Sequence, residues 1–158
     1  MDIEIITVGF EILEGDVLDT NSNWMAAKIS GTGNRLIRIT VIEDRVPVIA
    51  QCLRESVARS PGMILISGGL GPTKDDLTLE GVAMGLGTKL VDNEQAMARI
   101  RERYAGMHPE IPRDTVMTGL RIKMGRLPER STPVDNPVGT APGVKIRKGE
   151  TTIICLPG

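Results

Sequence analysis

Met63-Ile64-Leu65-Ile66-Ser67-Gly68-Gly69-Leu70-Gly71-Pro72-Thr73-Lys74-Asp75-Asp76 runs from an apolar segment straight into a glycine-rich turn. The apolar residues are too few for a helix and match a strand buried on both faces, as in parallel sheets. Beyond the turn, Leu79, Val82, Ala83 and Leu86 recur at helical spacing, and Gly85 and Gly87 close that helix. A strand, a glycine turn and a helix in that order form the joint of a parallel α/β sheet.

The same alternation continues on both sides. Ile3 to Val8 is a β-branched run ending at Gly9, and Asp19-Thr20-Asn21-Ser22 supplies N-caps for a helix that stops at Gly31-Thr32-Gly33. Leu36 to Ile42 is the next strand. Asp44 and Pro47 open a helix carrying Val46, Ile49, Ala50, Leu53 and Val57. Asn93 caps a helix with Met97, Ile100 and Tyr104, whose arginines read as a solvated face. Arg126 to Gly143 is rich in turn residues and reads as a long loop. Val144–Arg147 and Thr151–Leu156 flank Lys148-Gly149-Glu150 as a hairpin. The expected fold is a three-layer αβα sandwich with a mostly parallel sheet and a C-terminal antiparallel hairpin. It is one domain over 1–158, expected to lack its native C-terminal end.

In open α/β sheets, ligands bind beyond the carboxyl ends of the strands. Gly68 to Asp76 falls there. Its glycines let backbone N–H groups approach an anion, the following helix adds its positive N-terminal dipole, and Ser67, Thr73 and Lys74 add donors. The turn is neither a Walker loop nor G-x-G-x-x-G. Asp75 and Asp76 would repel a bare phosphate by a few kcal/mol even at an effective dielectric of about 20. Mg²⁺ or another divalent cation held by both carboxylates resolves the conflict. The competing role for Asp76 is a helix cap.

The chain has 158 residues, is 41% hydrophobic and 25% charged, and carries a net charge of −1. That balance gives no basic footprint for nucleic acid. Phe10, Trp24 and Tyr104 are the only aromatics, too few for a base-stacking platform. Cys52 and Cys155 stand alone, with one histidine, which argues against structural zinc and for buried thiols in a reducing compartment. No segment reads as a signal peptide or as the roughly 20 apolar residues of a membrane span. A cytoplasmic protein with no nucleic-acid or membrane partner is expected.

The stretch Gly68-Gly69-Leu70-Gly71-Pro72-Thr73-x-Asp75-Asp76-x-Thr78 resembles the signature of the molybdopterin-binding domain superfamily, in particular the N-terminal domain of competence/damage-inducible CinA proteins. Gly9-x-Glu11-x-Leu13-x-Gly15, Asp19-Thr20-Asn21-Ser22, Asp44, Asn136-x-x-Gly139-Thr140-Ala141-Pro142-Gly143 and Leu156-Pro157-Gly158 agree with it in order and spacing. The resemblance implies a homo-oligomer that binds a small phosphate-bearing nucleotide or pterin. It implies that Ser67 and Gly68, Gly69, Leu70, Gly71, Pro72 and Thr73 cradle phosphate. Asp44, Asp75 and Asp76 would surround the reacting phosphate, with Asp75 and Asp76 on a divalent metal and K⁺ as a further candidate ion. Glu11, Asp19, Thr20, Asn21, Ser22, Thr78, Asn136, Gly139 and Thr140 would line the pocket.

Two departures stand out. Phe10 occupies a position where the family usually has Asn or Asp, and the family's Pro-Glu continuation after Pro157-Gly158 is missing. The 158 residues hold no counterpart of the amidase domain fused to bacterial CinA proteins, so nicotinamide-mononucleotide deamidation is not expected of them. Three functions follow: metal-dependent hydrolysis of an ADP-ribose- or FAD-type pyrophosphate, a molybdopterin role in molybdenum cofactor biosynthesis, or non-catalytic binding. The Asp75-Asp76 pair favours the first. Among other residues, His108 before Pro109 reads as an exposed loop residue, and Trp24 as core, with a pocket wall or a subunit contact as the alternative. Glu11 and Asp44 each have a bland alternative, solvent exposure and helix capping respectively.

Overall fold

The computed structural model describes residues 1–112 and 115–158. The first strand, β1 (Asp2–Val8), is followed by a short helix α1 (Phe10–Glu14), then α2 (Thr20–Ser30), β2 (Arg35–Ile42), α3 (Val46–Ala58) and β3 (Met63–Ser67). After the glycine turn come α4 (Thr78–Leu86), β4 (Leu90–Asp92), α5 (Glu94–Met107) and α6 (Gly119–Met124). Four strands complete the order: β5 (Arg126–Pro128), β6 (Thr132–Val134), β7 (Gly143–Lys148) and β8 (Thr151–Leu156).

Six strands form one sheet in the order β2-β1-β3-β8-β7-β6. The first four run parallel, and β7 and β6 are antiparallel. Register puts Ile5 beside Ile39 and Leu65, and Leu65 beside Ile154. The neighbouring row carries Ile6, Ile66, Cys155 and Val144 and faces the other way. Ile6, Ile66 and Cys155 pack with Ile49 and Leu53 of α3, Leu79 and Val82 of α4, and Ile100 of α5. On the opposite face, Ile3 and Ile5 pack with Met25 and Ile29 of α2, beside Met63, Leu65 and Leu156. The chain is therefore a three-layer αβα sandwich with a mostly parallel sheet and a terminal antiparallel hairpin. Each fully buried Ile contributes roughly 1.5–3 kcal/mol.

Several local expectations change. The stretch expected as one loop from Arg126 to Gly143 holds β5 and β6; β5 pairs antiparallel with β4 in a separate two-stranded sheet, with Val91 beside Leu127. The pairing buries Leu127, which the turn-rich composition had masked. Trp24 is not core: it is 62% exposed, with Lys28 Nζ 5.3 Å from its ring centroid. Asp44 does not cap α3, whose N-cap is Arg45 without a side-chain bond. Asp76 does not cap α4, which begins after Leu77. By contrast, Asp19 accepts from Ser22 N and Asn93 from Ala96 N, as their positions predict. Glu4 is fully buried on β1 and accepts from Arg59 Nε at 2.8 Å, Arg59 Nη2 at 2.7 Å and Ser56 Oγ at 2.7 Å. No described helix is long and apolar enough to cross a membrane.

Candidate functional site

A cleft of about 560 Å³ opens at the carboxyl ends of β1, β3 and β8. The glycine turn forms one wall. Gly68 has φ +99° and Gly69 φ +64°, conformations that favour glycine. A Cβ on Gly68 would collide with the Val8 carbonyl, and one on Gly69 with the Thr78 hydroxyl. The turn is tied down at both ends. Gly68 N donates to Leu156 O at 3.1 Å, and Thr78 donates to Gly68 O through Oγ1 at 2.8 Å and to Gly69 O through N at 3.2 Å. Between these ties, the N–H groups of Gly69, Leu70 and Gly71 have no hydrogen-bond partner among the described residues. Three consecutive amides without partners, in the glycine-rich backbone ahead of α4, have the form of an anion-binding nest.

Asp76 braces this nest from within. Its Oδ2 accepts from Thr73 N at 2.8 Å and Thr73 Oγ1 at 2.6 Å. A Cβ on Gly71 would lie 2.7 Å from that same oxygen, so the brace needs a glycine there. Asp75 is exposed at the rim. Asp44 enters from the end of β2 and accepts from the Phe10 amide at 2.8 Å. Burial pushes the Asp44 carboxyl above the usual carboxylate range; the Phe10 N–H opposes this, and the negative charges of Glu11 and Asp76 add to it. The cleft therefore offers hydrogen-bond donors along its amide wall and carboxylates at Glu11 and Asp44.

Asp19 and Thr7 form the floor beneath α2. Desolvation of the Asp19 carboxyl is outweighed by its bonds from Ser22 and by the nearby Thr7 hydroxyl, and its proton affinity is lowered. Asp19 Oδ2 and Thr7 Oγ1 are both shielded from solvent without a completed hydrogen bond.

The cleft gathers Glu11, Asp19, Thr20, Asn21 and Asp44 from the first half of the predicted set. It also gathers Ser67, Gly68, Gly69, Leu70, Gly71, Thr73, Asp75 and Asp76. Ser22, Pro72 and Thr78 do not line it, and Thr78 acts by pinning the turn. Asn136, Gly139 and Thr140 line a neighbouring 250 Å³ pocket against Arg99 and Arg103 of α5. Asn136 organises its own loop there, accepting from Val138 N and Gly139 N and donating to Ala141 O. Asn21 lines both the cleft and a 460 Å³ hollow beside it that includes Asn136 and Gly139, so the two regions adjoin. Thr7, Val17, Leu18 and Ala141 also line the cleft without having been anticipated. Phe10 does not; its ring is half exposed, and its contribution is the amide bonded to Asp44. His108 ends α5, 3.2 Å from Glu110, outside the cleft. Both thiols are free, and burial pushes Cys155 up to about 12.

This sheet order, glycine turn and acidic rim define a class. Residues 4–158 match the family model described as "Probable molybdopterin binding domain", and the chain belongs to that family. A protein of Metallosphaera sedula is 41% identical over 155 residues, spanning 98% of this chain and 56% of the relative. The chain thus spans little more than half the length of that curated relative. The crystal structure of the protein CinA with unknown function from Thermoplasma acidophilum is 35% identical, covers 100% of this chain and 89% of its own, and superposes with a TM-score of 0.89. The tungsten cofactor synthesizing protein MoaB from Pyrococcus furiosus, 20% identical over 99% of this chain and 81% of its own at a TM-score of 0.58, shares the fold.

Proposed function

We propose that this domain binds a small phosphate-bearing ligand of the molybdopterin type, with its phosphate on the Gly69, Leu70 and Gly71 amides. The observation that carries this is the row of N–H groups without partners, on residues lining a cleft large enough for a pterin or nucleotide. Membership of the molybdopterin-binding family and the likeness to MoaB support a role in molybdenum or tungsten cofactor chemistry. They reverse the order expected from the Asp75-Asp76 pair, which placed pyrophosphate hydrolysis first. The test is a titration with a pterin phosphate, followed by pterin fluorescence. Saturable binding that is lost in Gly69→Val supports the reading; no binding by the wild-type protein overturns it.

Hydrolysis of an ADP-ribose- or FAD-type pyrophosphate remains the second reading, favoured by one observation. Burial raises the Asp44 proton affinity, and the negative charges of Glu11 and Asp76 add a smaller repulsion to it. A divalent cation would relieve that repulsion. Among the described residues no three His, Cys, Asp or Glu side chains converge as a ligand set. Asp76 Oδ2 is already occupied by Thr73. The carboxylates therefore suit an ion such as Mg²⁺, which takes one or two of them and completes its shell with phosphate and water. Asp75 and the free oxygen of Asp76 would hold it, and it would supply Lewis-acid activation of phosphate and water. The amide wall would bind the phosphate and stabilise charge on it, while Asp44 would accept a proton. Turnover of ADP-ribose or FAD with Mg²⁺, Co²⁺ or K⁺, abolished in Asp76→Ala, would place this reading first. The expected homo-oligomer stays part of the proposal, supported by the exposed Leu18, Trp24 and Val138, and is tested by light scattering.

A further inference from the structure

Lys123 lies on α6, outside the glycine motif, and its ammonium reaches back to the phosphate turn. Its Nζ donates to Thr73 O at 2.6 Å and to Asp76 O at 2.5 Å, and lies 3.9 Å from Glu80 Oε1. A trans peptide is planar, so its N–H points opposite to its C=O. Fixing the Thr73 carbonyl therefore aims the Lys74 N–H the other way, and fixing the Asp76 carbonyl does the same for the Leu77 N–H.

The two sides of the turn are distinct. Lys123 borders a gap of only about 10 Å³ between the turn and Leu79, Glu80, Leu90 and Met124. That is at most one water's worth of space, too small for a ligand. Thr73 and Asp75 border only the 560 Å³ cleft, whereas Asp76, like Gly69, Leu70 and Gly71, borders both spaces. The ammonium thus stands behind the turn and draws two carbonyl dipoles to the rear. Left free, those oxygens could turn toward the anion and oppose it. The Thr73–Asp76 side-chain brace fixes the span between these carbonyls, but nothing within it holds the carbonyls themselves.

We propose that Lys123 is a positioning residue for the phosphate nest, keeping the Thr73 and Asp76 carbonyls turned away so that the facing amides present a net positive wall. This rests on the reading of the cleft as a phosphate site. Lys123 touches no ligand; it acts through the backbone of residues 73–77.

The experiment uses inorganic pyrophosphate as probe in EDTA-containing buffer, so that no metal contributes. Affinity is measured by calorimetry for wild type, Lys123→Met and Lys123→Arg, alongside the ¹⁵N–¹H resonances of Lys74 and Leu77 and the thermal midpoint. Lys123→Met is expected to weaken pyrophosphate about tenfold or more, as for loss of charge-assisted bonds. It should also shift both amide resonances, and Lys123→Arg should restore most of the affinity. Wild-type affinity in Lys123→Met overturns the proposal. If wild type binds no pyrophosphate, the phosphate reading fails, and the amide resonances still decide the strut: unmoved in Lys123→Met, they overturn it. If Lys123→Met does not fold, Lys123→Gln with the same readouts takes its place.

Discussion

The Asp76 carboxylate receives both the amide and the hydroxyl of Thr73 on one oxygen, at 2.8 and 2.6 Å. A residue that looks like a helix cap in sequence is thus a brace inside the turn. Asp76→Ala removes both bonds and frees the backbone between Gly71 and Thr78. The expected outcome is a loss of roughly 1 kcal/mol in stability and a tenfold or greater loss of pyrophosphate affinity. Chemical denaturation and calorimetry read the two separately. Thr73→Val, which keeps the amide bond, should fall between wild type and Asp76→Ala.

Gly68 tolerates no side chain. Its φ of +99° is strained for any L-residue, and a Cβ would strike the Val8 carbonyl. Gly68→Ala should cost about 2–3 kcal/mol. Gly87, also at positive φ but with open space around its Cβ, is the control; Gly87→Ala should cost about 1 kcal/mol. Equal melting temperatures for the two variants would contradict the close approach of Val8.

Asp44 makes an unusual contribution to pH dependence. Its folded-state proton affinity is raised, chiefly by burial, so the native state holds a proton that the unfolded chain releases first. Stability from this group is complete below the ordinary carboxyl range and is lost as pH rises through the raised value. Asp44→Asn should therefore be more stable than wild type at pH 7, by about 0.5 kcal/mol, with the advantage vanishing at pH 3. Thermal melts across that range test the sign.

Glu4 works in the opposite sense. Its burial is outweighed by bonds from Arg59 and Ser56, which hold the carboxyl below its ordinary range. Its stabilisation is present above the unfolded value and disappears as pH falls through the lowered one. Removing one partner of a buried pair typically costs about 3–5 kcal/mol. Arg59 keeps 35% side-chain exposure, which lets water rescue it, so Glu4→Gln should cost about 2 kcal/mol at pH 7. A Glu4→Gln melting curve that matches wild type at neutral pH would refute this.

The legible parts of the chain were those with a period or a cap. Ile3 to Val8, the Val46 helix and the Asp19 and Asn93 caps carry their structure in adjacent residues, and all four appear where expected. The glycine turn and most of its facing residues were equally readable, because they sit in short motifs just after the carboxyl ends of parallel strands. Five short elements were not: α1, α6, β4, β5 and β6 are shorter than the windows in which periodicity emerges and lack the apolar run or turn signal that marked β3, β7 and β8. Asp44 and Asp76 were ambiguous because Asp serves caps and turn braces with the same oxygen; only the backbone path decides. Lys123 was invisible, since its contact with Thr73 spans 50 positions and leaves no local pattern.

The strand order has a consequence for synthesis. β3 lies in the middle of the sheet, yet its second neighbour, β8, is encoded more than eighty positions later. While the ribosome adds the intervening residues, over several seconds at typical rates, β1, β2 and β3 can pair but one long flank of β3 stays bare. That flank is apolar and open to pairing with another chain. The glycine turn shares this fate, because Gly68 is anchored to Leu156 at the end of β8. The nascent domain therefore carries its glycine motif long before that motif can be anchored, and the wait for one strand is an aggregation-prone interval.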